Sequence, residues 1–446
     1  MDDLIKGLRV LDSTTMVAMP TATHILADMG AEVIKIENHT APRSEGGGIF
    51  PDNKPGSNFW NRDGLFHTLQ RSKLDITLNL RSDEGQEAFK DLASLSDVII
   101  ENNRAGSMGR LGLDYEEIKK IKPDIIYISN TGFGYTGPWK QYAGIGRMFE
   151  LTCGLSQFTG YTDEGPRRVG AAFYDVPVGW TAVFAIMSAL LHRQKTGEGQ
   201  WIDFSMYQIG VSTIGDKILD YVANKRNGHV MGNAHEYYAP HNIYPTKGED
   251  KWIAIGTEND SQWFTLCEIM ENPEWCLRDE FSDSFSRHKN REDLDLLISE
   301  WTTSQDNHEL SDILQSKGIP AGPIMNSKDL LFDQHMNDRG FYEQITHNSS
   351  DNIGKQIYSG RAWKMSNAQS KIRRPGPGMG EHNEQVLSEL LGYDTDIIDD
   401  FYDLGIIADQ PINQRSSSNP PSLEKLKEEG TITDFDTDYK TSLGLE

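Results

Sequence analysis

Up to about residue 130 the chain alternates short β-branched runs with helix-like stretches, and this rhythm constrains the fold more than any other feature. Leu8–Asp12, Val33–Glu37, Val98–Ile100 and Ile125–Ile128 read as strands. Pro20 to Met29 reads as a helix, with Pro20 in its first turn and Gly30 at its end. Ser82 is placed to cap a helix over 83–95, with Glu84 and Glu87 in its first turns. Strand–helix–strand repetition of this kind predicts an α/β fold with a parallel, doubly wound sheet.

Beyond it, 143–160 and 176–195 read as helices of small and apolar residues, both expected to be buried. Trp201–Ser205 is strand-like, and a long helix is expected to run on to about Ala223. A linker signal at Lys225-Arg226-Asn227-Gly228 sets the organisation: a large domain over 1–224, a small α+β domain over 225–325, and a linker and return to the large domain over 326–407. Within the small domain, 251–255 and 321–325 read as strands, and helices are expected near 260–271, 290–302 and 307–316. A helix is also expected over 384–391. Residues 408–446 are polar, with Ser416-Ser417-Ser418 and Pro420-Pro421, and predict an extended acidic tail.

The 446 residues carry a formal charge of −24, so a nucleic-acid partner is not expected. Without a long uninterrupted apolar run no membrane span is expected, and the acidic N-terminus does not read as a signal peptide, so the expected compartment is cytoplasmic. Three cysteines, Cys153, Cys267 and Cys276, make neither a disulfide framework nor a zinc site, and no metal is expected.

Six segments, in order, carry a resemblance: Gly7–Asp12 with Met16–Pro20 and Leu26–Glu37; Arg71-Ser72-Lys73 with Leu78-Asn79-Leu80; Asp97–Asn102 with Arg110-Leu111-Gly112; Gly132-Phe133-Gly134 with Gly137-Pro138; Val169-Gly170, Asp175, Gly179, His192-Arg193 and Thr196–Gln200; and Gly380-Glu381-His382. Together they resemble the class III CoA-transferases, the formyl-CoA and carnitine CoA-transferase-like family. The resemblance implies a Rossmann-like large domain, a small domain, two linkers, and an interlocked-ring homodimer. It implies an enzyme that moves coenzyme A from an acyl-CoA thioester to a small carboxylic acid, with no metal or ATP.

In that scheme Asp175 is the nucleophile, forming a mixed anhydride and then an aspartyl-CoA thioester. The small residues Ala171 and Ala172 before it leave room for a bulky thioester. Asp175 also reads simply as a residue at the start of the 176–195 helix, and the two roles are compatible. The positions matching CoA contacts are Met16, Val17, Ala18, Lys73, Asn102, Asn103, Arg110 and Arg147. Lys73 and Arg110 are expected to meet phosphates. Arg147, in an apolar stretch, is expected to be buried against an anion, either CoA, the acyl carboxylate or Glu150.

The chain departs from the pattern in two places. Asn38 stands where many members have a basic residue, with Arg43 as a possible substitute. His235–Asn242 replaces the glycine run of the formyl-CoA branch, which argues against oxalate or formate. Arg167 and Arg168 are candidates for a second carboxylate of a dicarboxylic acceptor. An α-methylacyl-CoA racemase is the alternative within the superfamily, but no histidine lies between His67 and His192 to serve as the second acid/base group. A nucleotide-dependent oxidoreductase lacks its glycine turn, because Ser13–Ala18 contains no glycine. A subunit of a heteromeric CoA-transferase remains a third reading.

Overall fold

The computed structural model describes residues 2–40, 48–170, 172–348, 351–412 and 420–445. Six strands form one sheet: β1 (Arg9–Ser13), β2 (Glu32–Glu37), β3 (Leu74–Thr77), β4 (Val98–Glu101), β5 (Ile126–Thr131) and β6 (Gln200–Ser205). Every neighbouring pair is parallel, and the order is β3-β2-β1-β4-β5-β6. The direction of winding therefore reverses between β1 and β4.

Both faces of the sheet are covered, which is why the strands are apolar at consecutive positions. Val10, Val33, Val98, Ile100, Ile126 and Ile128 enter one core with α1 (Ala18–Asp28) and α3 (Asp175–Thr196). Leu11, Ile34, Ile99 and Tyr127 enter the other with α2 (Asp83–Ser94). Ser82 caps α2 as expected, its hydroxyl accepting the Gly85 N–H at 3.1 Å.

α1 and α3 differ in burial. All 11 residues of α1 are buried. α3 buries Val178, Gly179, Ala182, Ile186 and Ala189 but leaves Val176, Trp180, Phe184 and Leu191 exposed, Phe184 to 74%. The expectation of a wholly buried helix therefore holds for one face only. Among the described residues α3 is the one helix with the length and apolarity of a membrane span, and its core-facing residues account for part of that composition. Gly179 lets α1 and α3 meet closely, since a Cβ there would strike the Ala18 carbonyl oxygen and Thr21 at 2.6–2.8 Å.

β3 is hidden in the sequence by its polar residues. Its Asp75 accepts the Gly380 N–H at 2.8 Å, and its Thr77 N–H donates to Asn383 Oδ1 at 2.9 Å. The Gly380–His382 segment thus completes the edge of the large unit. The 143–160 stretch is shorter than expected, with a helix only over Gly146–Thr152 and a single turn at Leu155–Gln157. The expected long helix after β6 is two helices, Met206–Ser212 and Gly215–Asn224.

The chain divides into two compact units: 1–155, 168–219 and 340–446 in one, and 156–167 with 220–339 in the other. The smaller unit has a three-stranded antiparallel sheet of β7 (His241–Pro245), β8 (Trp252–Gly256) and β9 (Ala321–Pro323), with β8 central. Its core joins Tyr244, Ile253 and Ile255 to Trp263, Leu266, Leu294, Ile298 and Leu310 from the surrounding helices. The tail belongs to the large unit. Where it is described it forms short helices at Leu423–Glu428 and Tyr439–Leu443, and Lys440 and Tyr439 bind Asp52 at 2.7 and 2.8 Å. Local docking therefore replaces the extended tail expected there.

Candidate active site

At the reversal point the loops leaving β1 and β4 face each other, and such a crevice is where doubly wound sheets take ligands. Asn102 bridges the two loops: Thr15 N–H donates to its Oδ1 at 2.9 Å, and its Nδ2 donates to the Thr15 carbonyl at 2.8 Å. Met16 stands at the tip, half exposed, with a positive φ of 68°. Val17 follows as the residue capping α1, and Ala18 opens the helix.

A buried network holds the β1 loop from below. Asp12 and Lys73 are both 0% exposed and pair at 2.9 Å. Asp12 Oδ1 accepts the Thr14 N–H at 3.1 Å and the Thr14 hydroxyl at 2.5 Å, while Lys35 donates to the Thr14 carbonyl. Burial pushes the Asp12 carboxyl up, but Lys73 and Lys35 outweigh it and hold the group below the usual carboxylate range.

Lys73 also donates to Thr23 Oγ1 at 2.7 Å and Gln70 Oε1 at 2.6 Å, which occupies all three of its hydrogens. This corrects the phosphate contact expected of Lys73: a buried ammonium with every donor used braces the loop instead of reaching a ligand. The sequence could not separate the two, since a lysine after a helix reads alike in either role.

The β4 loop has its own buried carboxylate, to which sequence reasoning assigned no role. Glu101 is 0% exposed and accepts the Asn103 N–H at 2.7 Å and the Tyr135 hydroxyl at 3.1 Å. Burial raises its carboxyl above the usual range. An acid closing an otherwise apolar strand was the available signal. Asn103 is thereby fixed beside Asn102. Arg110 lies exposed at the end of the Ser107–Arg110 turn, its guanidinium donating to Ser107 Oγ at 3.0 Å.

Asp175 is the first residue of α3, one turn before Gly179. Because Gly179 rests on the Ala18 carbonyl, the Asp175 turn lies beside the start of α1 and the loop before it. Its carboxylate packs on Gly146, where any side chain would collide with it. Burial lifts the Asp175 carboxyl to about 6; its own backbone amide and Arg147 oppose the shift, and the Glu150 charge adds to it.

Arg147 is exposed, which corrects the expectation of a buried arginine. The short Gly146–Thr152 helix turns it outward and buries Phe149 and Glu150 instead. Its charge still acts on Asp175. Arg167 pairs with Glu164 at 3.0 Å. Asn38 caps its own turn, accepting the Thr40 N–H at 3.0 Å. Ala171 and Arg43 lie outside the described residues.

Met16, Val17, Ala18, Asn102, Asn103 and Asp175 are therefore brought to one end of one sheet. They define an α/β enzyme with a ligand crevice at the reversal point and a partly buried carboxyl beside it. The chain belongs to CoA-transferase family III, whose profile matches residues 5–383. It is a CoA-transferase, acting on CoA thioesters. It is 31% identical over 405 residues to the human succinyl-CoA:glutarate CoA-transferase, covering 90% of each chain. It is 33% identical over 398 residues to succinyl-CoA:mesaconate CoA-transferase of Haloarcula marismortui, covering 88% of this chain and 97% of that one. The crystal structure of a CAIB/BAIF family protein from Brucella suis superposes with a TM-score of 0.79 at 31% identity, covering 87% of this chain and 100% of the other.

Proposed function

We propose that this enzyme transfers CoA from succinyl-CoA to a short dicarboxylic acid through covalent intermediates on Asp175. The observation that carries the mechanism is the Asp175 carboxyl itself, which is partly buried, lifted to about 6 and seated on Gly146. At pH 7 it is ionised yet more basic than an ordinary carboxylate, as a nucleophile toward a thioester requires.

The carboxylate attacks the thioester carbonyl, the C–S bond breaks, and CoA leaves as thiolate. The thiolate attacks the aspartyl carbonyl of the mixed anhydride, and the first acid departs as carboxylate. The acceptor carboxylate then attacks the aspartyl-CoA carbonyl and expels the thiolate. Finally the thiolate takes the acceptor's acyl carbon and Asp175 is released.

Met16, Val17, Ala18, Asn102 and Asn103 line the proposed CoA crevice, with Arg110 and Arg147 as exposed cations for phosphate or carboxylate groups. The dicarboxylic acceptor rests on the two relatives, whose names give succinyl-CoA with glutarate or mesaconate. The exposed apolar face of α3, with Val176, Trp180, Phe184 and Leu191, supports the interlocked homodimer, in which a second chain covers it.

The test is a transfer assay with succinyl-CoA and a panel of acids, following new CoA esters by chromatography. Glutarate, mesaconate or another short dicarboxylate is expected to react, and acetate and butyrate are not. Transfer confined to monocarboxylic acids contradicts the substrate class.

A further inference from the structure

We propose that Glu150 is a positioning residue for the reaction, a buried carboxylate that sets both the path of the chain into the Asp175 turn and the electrostatic field at its carboxyl. The inference rests on Asp175 as nucleophile. Glu150 is 1% exposed. Its Oε1 accepts the N–H of Val169, in the segment that leads to Asp175. It sits on the Gly146–Thr152 helix, one turn after the Gly146 on which the Asp175 carboxylate rests. One short helix thus supplies the seat of the nucleophile and a second carboxylate whose charge acts on it.

Burying a carboxylate is costly, and a neutral amide would accept the Val169 N–H equally well. What the negative charge adds, and an amide would not, is its effect on the Asp175 carboxyl. The charged groups acting on Asp175 are Glu150, which raises its carboxyl, and Arg147, which lowers it. Tyr174, pushed up by burial, stays neutral. The α1 residues packed at the next turn, Ala18 and Thr21, carry no charge.

The experiment measures hydroxylamine-trapped adduct at Asp175 against pH, after mixing with succinyl-CoA. It compares wild type, Glu150→Gln and Glu150→Asp, with thermal melting recorded alongside. In wild type the trapping rate is expected to rise through a midpoint near 6 as the carboxylate ionises. Glu150→Gln keeps the acceptor and removes the charge, so the midpoint falls by roughly half a pH unit or more. Glu150→Asp withdraws the charge slightly and lies between, and it serves the same purpose if the glutamine variant does not fold. A slower rate with an unshifted midpoint in both variants overturns the proposal alone. No adduct in wild type at any pH overturns the nucleophile reading and this proposal with it.

Discussion

Asp12 and Asp175 sit in the same unit, at the ends of neighbouring elements, and their environments are opposite. Asp12 is fully buried, yet Lys73 and Lys35 hold its carboxyl below the ordinary range. Asp175 is less buried, yet its carboxyl is lifted to about 6: burial raises it, its own backbone amide and the exposed Arg147 only partly oppose the rise, and the Glu150 charge adds to it. Burial pushes both carboxyls up; the fixed charges beside them decide whether that push is overridden, as the two lysines override it at Asp12. The first acid is a brace whose ionisation is locked, and the second is left basic enough to react. Such perturbed groups cluster at functional sites.

The sharpest way to break the contrast is Asp175→Asn. It removes the nucleophile and keeps the shape, so turnover is expected to fall by roughly 10³-fold or more in a steady-state transfer assay. Lys73→Met attacks the other side. It strands Asp12 without its main partner, and a loss of about 3–5 kcal/mol is expected from melting curves, with partial recovery in the Asp12→Asn/Lys73→Met double variant.

The two acids also carry opposite pH signatures. Asp12 has a folded pKa below its unfolded value, so its contribution is present above about pH 4 and is lost as pH falls through the folded value. Asp175 has a raised folded pKa, so stability is greatest below about pH 4 and is lost as pH rises through about 6. Asp175→Asn is therefore expected to raise stability by about 1–2 kcal/mol at pH 8 and to leave it unchanged at pH 4, read as the Tm difference between the two pH values. The smallest expected effect is Asn102→Ala. Losing the two bonds between the loops should raise KM for the CoA ester by roughly tenfold or less, with kcat little changed.

The sheet was legible where strands were apolar on both faces, as in β1, β2, β4 and β5. It was not legible at β3, where Asp75 and Thr77 break the apolar run and find their partners far along the chain at Gly380 and Asn383. The hairpin Tyr342–Thr346 with Lys355–Ser359 was missed for a related reason, since its half-exposed residues give weak alternation, and the short helix Thr395–Asp403 was missed although it buries Ile398 and Phe401 on one face. In the site, spacing alone leaves Asp175 an ordinary helix opener, and only the resemblance singles it out. The direction of Arg147 and the full occupation of Lys73 depend on side-chain packing, which no local pattern encodes.

The most direct test of the central claim is mass spectrometry of the protein mixed with succinyl-CoA and quenched with hydroxylamine. A modification on the peptide containing Asp175, absent from Asp175→Asn, is the predicted result. A trapped adduct on another residue, or full transfer activity in Asp175→Asn, would contradict it.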